Sequence, residues 1–322
     1  MSASTVKHRL SGLAAQKRSF VLSVAIPTLL YEALGVLTIG WALALMFFEY
    51  GPGRAGGPIL GLGGSNPFVG LEHFRNMISG TSLEARLFRT SLKNTLLFAF
   101  GVLPLNLAIT LPLAALIESV RSRLKIAFRA IYFLPVVTAG VGVAMMWGYI
   151  FNPQYGLANA VIRVFGGTPI AWLSDPRATF LGVSLGMWAV IVTRLWSDYG
   201  YNLVIFIAAL QGIPVQLREA AVIDGANSWQ VFSKVTIPLL RPTLLFVCVM
   251  TMLDAFQVFD IIQVMTQGGP NNQTRVLMLD IYENAFRYQR MGWAAAVGFV
   301  LAVLVMGITI AQMRLLRTEW EY

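Results

Sequence analysis

The sequence predicts an all-α, polytopic membrane protein with six transmembrane helices. Hydrophobic residues make up 57% of the 322 residues and charged residues only 12%, which is about half the charged share of a soluble domain. The mean hydropathy is +0.67. Six segments are each long and apolar enough to cross a bilayer as a helix, which takes about 20 residues.

The six predicted spans share a long apolar run with few charges. They are Phe20–Phe48, Thr95–Ile117, Ala130–Phe151, Ala178–Leu210, Thr243–Met265 and Met291–Met313. Together they form one membrane domain over residues 20–313, with tails at residues 1–19 and 314–322. No segment between the spans is large enough to hold a soluble enzyme core.

The first and fourth segments need individual interpretation. The first follows a basic tail, as a signal peptide would, but its apolar run exceeds the roughly 7–15 residues of a signal core, so a retained span is predicted. The fourth contains Arg194, Asp198 and Gly200. It cannot be split in two, because Tyr199–Leu210 would reach only about 18 Å. We therefore predict one long span, kinked or tilted around Gly200.

The distribution of cations predicts which side of the membrane each loop occupies. Six spans place both termini on the same side. With the termini in the cytoplasm, thirteen Lys and Arg residues are cytoplasmic and ten lie in outer loops. The short loop Glu118–Arg129 is the clearest indication under the positive-inside rule. Its four cations are Arg121, Arg123, Lys125 and Arg129.

Motifs for nucleotide and metal chemistry are absent from the sequence. No Gly-Lys pair occurs, so there is no P-loop, and neither H-E-x-x-H nor C-x-x-C is found. Cys248 is the single cysteine, and His8 and His73 lack metal-ligand spacing. Cationic loops explain the net charge of +9 more simply than nucleic-acid binding does. We expect no catalytic residue, metal site or cofactor on this chain.

The segment between the fourth and fifth spans reads EAAVIDGANSWQVFSKVTIPLLRP and is predicted to contain two short helices within residues 214–238. Pro214 suits a first helical turn, because its missing N–H would be unpaired there anyway. The first helix then covers Val215–Ile223, and Gly225 ends it in a left-handed conformation.

The second helix of this loop is predicted at Trp229–Val235. Asn227 or Ser228 caps it, and Gln230 can complete a capping box. From the residues alone, an ordinary amphipathic loop helix that rests on the bilayer surface is favoured over a slim helix that lies in a groove of another protein.

The same loop resembles the EAA loop of binding-protein-dependent ABC importer permeases. The family pattern is EAA, three residues, Gly, nine residues, Ile, one residue and Leu-Pro. Glu219-Ala220-Ala221, Gly225, Val235 and Ile237-Pro238 stand at these spacings, with Val235 and Ile237 as conservative departures. LQGIPVQLREAAVIDGA, DAFQVFDIIQVMTQGGPNNQT, FVGLEHFRNMI and FNPQYGLAN resemble the carbohydrate-importing branch, so the resemblance covers most of Phe68–Phe286.

This resemblance implies a type I permease in the bacterial inner (plasma) membrane, which carries a sugar or oligosaccharide delivered by an extracytoplasmic binding protein. The implied partners are a second homologous permease, two ATP-binding cassette subunits, the binding protein and membrane lipid, with ATP and Mg bound by the ATPase subunits. The loop would then dock on an ATPase subunit as a cytoplasmic coupling helix. The residues implied in docking are Arg218, Glu219, Ala220, Ala221, Asp224, Gly225 and Ala226.

Polar and aromatic side chains in the fourth and fifth spans are candidates for the solute path, because a charge near the bilayer centre faces protein or water rather than lipid. They are Arg194, Trp196, Asp198, Tyr199, Asn202, Asp254, Phe256, Gln257, Asp260 and Gln263. One helical stripe is predicted to contain Phe256, Asp260, Gln263 and Gln267, with Asp254 and Gln257 beside it. Two structural interpretations stay open, since Arg194 and Asp198 can neutralise each other and the stripe can pack against a partner permease.

Three other functions are weighed against a sugar permease. A glycerol-3-phosphate or phosphodiester permease is the alternative within the family, and the mixed signs of the intramembrane charges favour a neutral sugar. A self-contained secondary transporter would show inverted repeats with broken helices at matching positions, and the sequence shows no such correspondence. A membrane enzyme would need a catalytic constellation. Glu32, Arg194, Asp198, Asp254 and Asp260 form no recognisable one.

Overall fold

The computed structural model describes residues 19–53, 56–59, 62–120 and 122–316, which are mostly helical. Most of both predicted tails lies outside the described residues, including the cations Lys7, Arg9, Lys17, Arg18 and Arg317. The elements are α1 (Val21–Leu45), β1 (Gly56–Ile59), β2 (Leu62–Gly64), α2 (Glu72–Ser79), α3 (Leu83–Ser119), α4 (Ser122–Phe133), α5 (Gly140–Ile150), α6 (Leu157–Val164), β3 (Thr179–Phe180), β4 (Val183–Ser184), α7 (Leu185–Gln211), α8 (Val215–Ile223), α9 (Ser228–Val231), α10 (Arg241–Phe256), α11 (Asp260–Met265), α12 (Leu277–Tyr282) and α13 (Met291–Leu316).

The described residues hold four helical segments that are long and apolar enough to cross a membrane, namely α1, α3, residues 241–265 and α13. Two further pairs pass the same test only when taken together. Residues 124–137 and α5 meet at 99°, and α7 and α8 meet at 71°. The number of candidate spans is therefore four, or up to six if each bent pair counts as one span.

Helix α3 starts three turns earlier than the predicted second span. It begins at Leu83 rather than Thr95, because the Ser82 hydroxyl caps it by accepting from the Ala85 N–H at 3.2 Å. Arg89 in this added segment donates to the carbonyl oxygens of Met77 at 3.1 Å and Gly80 at 3.0 Å. The extra turns thus hold the end of α2 rather than forming an irregular loop.

Gly200 does not interrupt the helix of the fourth predicted span. Helix α7 runs without a break through Gly200, and the bend comes after Gln211. A Cβ at residue 200 would lie 2.1 Å from the Tyr132 carbonyl oxygen. The glycine therefore allows α4 to approach the backbone of α7. The predicted start at Ala178 is also too early, because a short hairpin of β3 and β4 precedes the helix.

The third and fifth predicted spans are both interrupted. After α4, a 3₁₀ turn at Leu134–Val137 leads to extended residues before α5. Helix α10 ends at Phe256, and residues 257–259 are not helical. The predicted stripe of Phe256, Asp260 and Gln263 is therefore wrong, since the helical period does not continue across the break. The half-helices α5 and α11 pack against each other.

Two apolar clusters fill the interior, with a polar layer between them. The first includes Phe98, Val102, Met187, Val190, Met252, Phe256, Ile262, Leu277 and Val297, and the second includes Leu111, Ala114, Leu203, Phe206, Leu210 and Val247. Between them, the Asn202 amide donates to Asn106 Oδ1 at 2.9 Å and to Thr251 Oγ1 at 3.0 Å. All three side chains are buried, so these bonds join α3, α7 and α10 at one level.

A buried ion-pair cluster fixes the segment between α11 and α13. Arg275 donates to Asp280 at 2.8 Å and to Glu283 at 2.5 Å, and all three are buried. Burial raises the pKa of the Asp280 carboxyl, while the hydrogen bond and charge of Arg275 lower it. The same segment is tied to α3, because Asn94 donates to the Arg275 carbonyl at 3.0 Å and the Leu277 N–H donates to Thr95 Oγ1 at 2.9 Å.

Substituting Gly200 tests the close approach of α4 and α7. Gly200→Ala should lower the free energy of unfolding by about 1–3 kcal/mol, the usual cost of overpacking, relative to Gly298→Ala. Gly298 is the matched control, because it is also helical and a Cβ there meets nothing within 4 Å. Thermal unfolding in detergent can be followed with a thiol-reactive dye, since the single cysteine, Cys248, is buried. Equal midpoints for the two variants would contradict the close approach.

Removing the guanidinium of Arg275 tests the buried cluster. Arg275→Met should destabilise the protein by about 3–5 kcal/mol, because Asp280 and Glu283 would stay buried without their cation. Arg287→Met is the control, since Arg287 also pairs with Glu283, at 3.2 Å, but its side chain is 51% exposed. We expect Arg287→Met to lower the free energy of unfolding by at most about 1 kcal/mol. The same thermal unfolding assay compares the two variants. A similar loss of stability in both would refute a stabilising role for the buried cluster.

Candidate functional site

The two helix breaks face a common cavity of about 430 Å³. One wall comes from residues 135–140 between α4 and α5, the second from α7, and the third from the end of α10 and start of α11. The polar side chains of the wall are Thr138, Arg194, Ser197, Asp198, Tyr201, Asn202, Thr251, Asp254, Gln257 and Asp260.

The breaks explain why the cavity can hold water at membrane depth. Non-helical backbone leaves N–H and C=O groups without intrahelical partners, and within a bilayer this is tolerated only inside protein or beside water. At the first break, helix α5 has no side chain capping its N-terminus. Asp260 Oδ2 lies there, 3.7 Å from the position that a Cβ of residue 140 would take. A carboxylate at a helix N-terminus is stabilised by the helix dipole.

The charges in the cavity are unevenly paired. Arg194 forms an ion pair with Asp198, one helical turn away, and its Nη2 lies 3.7 Å from Asp254 Oδ2. The Asp254 side chain remains 58% exposed, and Asp260 is exposed as well. Arg194 therefore neutralises Asp198 and links α7 to α10, while two carboxylates stay open to the cavity.

The cavity brings together six of the ten residues predicted for the solute path: Arg194, Asp198, Asn202, Asp254, Gln257 and Asp260. The other four lie outside its wall. Trp196 packs against Trp147 with ring centroids 6.0 Å apart, and Tyr199 packs against Tyr132 at 5.7 Å. Phe256 is 1% exposed within the first apolar cluster, and Gln263 lies in α11 beyond the break.

Sequence reasoning missed Thr138, Gly140, Ser197 and Thr251. The first two lie in LPVVTAGVG, where Pro135 and two glycines could have indicated a broken helix. Ser197 and Thr251 carry no such signal, because a single hydroxyl in an apolar helix more often bonds its own backbone.

The loop at residues 214–238 forms the two helices predicted for it. Helix α8 spans Val215–Ile223, and Gly225 adopts a φ of +85°. The Ala226 N–H donates to the Ala221 carbonyl at 2.9 Å and the Gly225 N–H to Val222 at 3.0 Å, which is the Schellman pattern. This helix end confirms the predicted glycine stop.

The second helix of the loop is also capped as predicted. Asn227 and Gln230 form both hydrogen bonds of the capping box, at 2.9 and 2.8 Å. The helix begins at Ser228 and continues beyond Val231 as a π-helical turn to Thr236, so the predicted range of Trp229–Val235 is nearly correct.

The outer surface of this loop is exposed and partly apolar. Ile223 is 85% exposed and Trp229 is 70% exposed. Of the predicted docking residues, Glu219, Ala220, Asp224 and Gly225 are exposed, and Arg218, Ala221 and Ala226 are half-buried. Arg218 turns back and donates to the Leu210 carbonyl at 3.2 Å, which fastens the loop to the end of α7.

The inner surface of the loop borders a cleft of about 570 Å³. The end of α3 forms its opposite wall, including Leu116 and Glu118. Glu118 accepts from Lys125 at 2.8 Å and from Gln211 at 3.3 Å. The ends of α3, α4 and α7 are thus joined beside the loop.

A protein-family model matches residues 110–317, which include the cavity and the loop, and describes a binding-protein-dependent transport system inner membrane component. The chain belongs to this family. Members are the membrane-embedded permease components of transport systems, consistent with several apolar helices and with a role other than catalysis.

Several relatives in this permease family are similar over most of their length. The osmoprotective compounds uptake permease protein GgtC of Synechocystis is 31% identical, over 80% of this chain and 88% of the relative. The trehalose/maltose transport system permease protein MalF of Thermococcus litoralis is 32% identical, over 77% and 79%. The sn-glycerol-3-phosphate transport system permease protein UgpA of Pectobacterium atrosepticum is 32% identical, over 80% and 83%.

A solved structure shares the fold of this permease. It is a bacterial ABC transporter involved in the import of the acidic polysaccharide alginate, with a TM-score of 0.76 over 96% of this chain and 99% of that chain. The sequences are 22% identical, so this likeness concerns the fold alone. A second solved structure with this fold, at a TM-score of 0.75, is a bacterial alginate ABC transporter in complex with an alginate pentasaccharide-bound periplasmic protein.

Proposed function

We propose that this chain is the transmembrane permease subunit of an ATP-driven ABC importer that takes up a sugar or oligosaccharide. The observation that carries the proposal is the loop at residues 214–238, which exposes Ile223 and Trp229 beside a rigidly capped turn. Apolar side chains this exposed on a short, well-ordered element suit a protein partner. Relatives named for trehalose/maltose, lactose and arabinooligosaccharide transport support a sugar or oligosaccharide as the transported solute.

The proposed topology has six spans in one membrane domain at residues 20–313, with both termini and the loop in the cytoplasm. Residues 124–137 and α5 then form one span together. Helix α7 forms another, and α8 belongs to the loop. The cationic segment at residues 118–129 supports this orientation under the positive-inside rule. It lies beside the same loop, and in it Glu118 forms ion pairs with Lys125 and Arg129.

The loop is proposed to act as the coupling element on an ATPase subunit. Ala220 and Ala221 keep α8 slim enough to enter a groove, and Glu219 supplies a polar contact. Movement of the loop would be transmitted to α7 by the hydrogen bond from Arg218 to the Leu210 carbonyl. It would be transmitted to α3 across the cleft that the loop and the end of α3 line together. The remaining predicted contacts, Asp224, Gly225 and Ala226, shape the turn.

The proposed assembly contains a second homologous permease, two ATP-binding cassette subunits and an extracytoplasmic binding protein. ATP and Mg would bind the ATPase subunits. We propose that this chain binds neither a cofactor nor nucleic acid. The alginate transporter solved with its periplasmic protein supports the binding protein. A glycerol-3-phosphate permease is the second candidate, favoured by the relative named for that solute.

Cysteine labelling in intact cells tests the topology. Ser119→Cys at the end of α3 and Thr168→Cys after α6 would each be placed in a Cys248→Ala background, and both positions are exposed. A membrane-impermeant maleimide reaching the outer face should label Thr168→Cys in intact cells and Ser119→Cys only after permeabilisation. Labelling of Ser119→Cys in intact cells would reverse the orientation.

A proline at Gly225 tests the coupling element. Gly225→Pro cannot adopt the φ of +85°, so the turn between α8 and α9 should be lost. We expect ATPase subunits to be lost on co-purification and uptake to fall at least tenfold, while the permease stays folded. An Ala221→Trp variant, too bulky for a groove, should behave in the same way.

Gly166→Pro is the matched control for Gly225→Pro. Gly166 follows α6, has a φ of +77°, and donates its N–H to the i−3 carbonyl at 3.0 Å, as Gly225 does. Both substitutions therefore cause the same local backbone strain, but only Gly225→Pro lies in the loop at residues 214–238. Equal ATPase retention by the two variants would refute the docking role.

A further inference from the structure

The cavity between the helix breaks carries a net negative charge. Its wall contains one guanidinium, Arg194, and three carboxylates, Asp198, Asp254 and Asp260. Because Arg194 and Asp198 form an ion pair, their charges cancel. Asp254 and Asp260 are exposed and leave a charge of −2.

The single cation of the cavity wall is not available to an anion. Arg194 has Asp198 on one side and Asp254 within 3.7 Å on the other. A phosphate or uronate group that approached the guanidinium would therefore meet two carboxylates first. Asp260 likewise lies near the N-terminus of α5, the other feature of the wall that attracts anions, with its Oδ2 3.7 Å from the position that a Cβ of residue 140 would take.

The remaining groups of the wall suit an uncharged, hydroxyl-rich molecule. An ionised carboxylate accepts hydrogen bonds and donates none, so Asp254 and Asp260 can each receive hydroxyl protons. Tyr201 is 45% exposed and offers an aromatic face. Gln257 at the edge of the break has an amide that both donates and accepts.

We infer that Asp254 and Asp260 determine specificity by charge, so that the cavity admits neutral or cationic polyols and disfavours anions such as phosphate esters and uronates. This inference rests on the proposed import function and deepens it.

Charged thiol reagents report the sign of the charge in the cavity, and their use does not require the solute to be known. Thr138→Cys, in a Cys248→Ala background, places a thiol in the wall beside Asp260. The purified transporter complex in detergent is treated with a trimethylammonium or a sulfonate methanethiosulfonate reagent, and modification of this subunit is followed by mass spectrometry. The ratio of the cationic to the anionic rate cancels the reactivity of the thiolate itself.

Thr168→Cys is the matched control, because it makes the same replacement at an exposed site outside the cavity. We expect the rate ratio at residue 138 to be at least tenfold above that at residue 168. It should fall to the control value when Asp254→Asn and Asp260→Asn are added. A ratio at residue 138 equal to or below the control, or unchanged by the two substitutions, would overturn the inference.

Uptake in cells that carry the complete importer gives a second, independent measurement. Maltotriose and lactose represent neutral solutes, and glycerol-3-phosphate and a uronate trisaccharide represent anions. ATP-dependent uptake of a neutral sugar supports the inference, and uptake of either anion at a comparable rate overturns it. If no ATPase subunit co-purifies with the chain, the import function itself fails, while the reagent ratio still reports the charge of the cavity.

Discussion

The fold depends on one constraint, that backbone polar groups within a bilayer must find partners. Among the described residues of the predicted third and fifth spans, the helices are interrupted after Val137 and after Phe256. Both breaks lie on the same cavity, and non-helical backbone is tolerated at membrane depth where it lines a cavity inside protein. The half-helices α5 and α11 then pack on each other and close the wall. The cavity is thus a consequence of where the helices stop, and its polar side chains are gathered there for the same reason.

Two ion-pair clusters illustrate how burial changes the role of similar groups. Arg275 and its two carboxylates are buried and hold a connecting segment in one conformation. Arg194 also has two carboxylate partners, but Asp254 is more than half exposed. Water screens that contact, which makes it weak and easy to exchange. The first cluster fixes the framework, and the second leaves charges in contact with the cavity.

The sequence predicts local features of this fold well and tertiary ones poorly. Helix α8, the left-handed Gly225 and the capping box of Asn227 follow from signals that act within four residues. The break at residues 257–259 carries no proline or glycine, and the helix that follows it, α11, packs against α5. The close approach at Gly200 was not predicted, because its neighbour, the Tyr132 carbonyl, comes from another helix. Of the candidate site, the intramembrane charges were predictable from their cost in lipid. The residues between α4 and α5 were missed, although Pro135 and two glycines there could have indicated a broken helix.

The polar layer of Asn106, Asn202 and Thr251 fixes the register of three helices. These side chains bond across α3, α7 and α10 between two apolar clusters. If α3 slid by one turn along α7, both amides would face apolar side chains without partners, at a cost of about 1–3 kcal/mol for each unsatisfied group. A single buried asparagine selects the register of a coiled coil in the same way. Sliding of α3 along α7 is therefore unfavourable, whereas a rotation of the three helices as one unit would keep these hydrogen bonds.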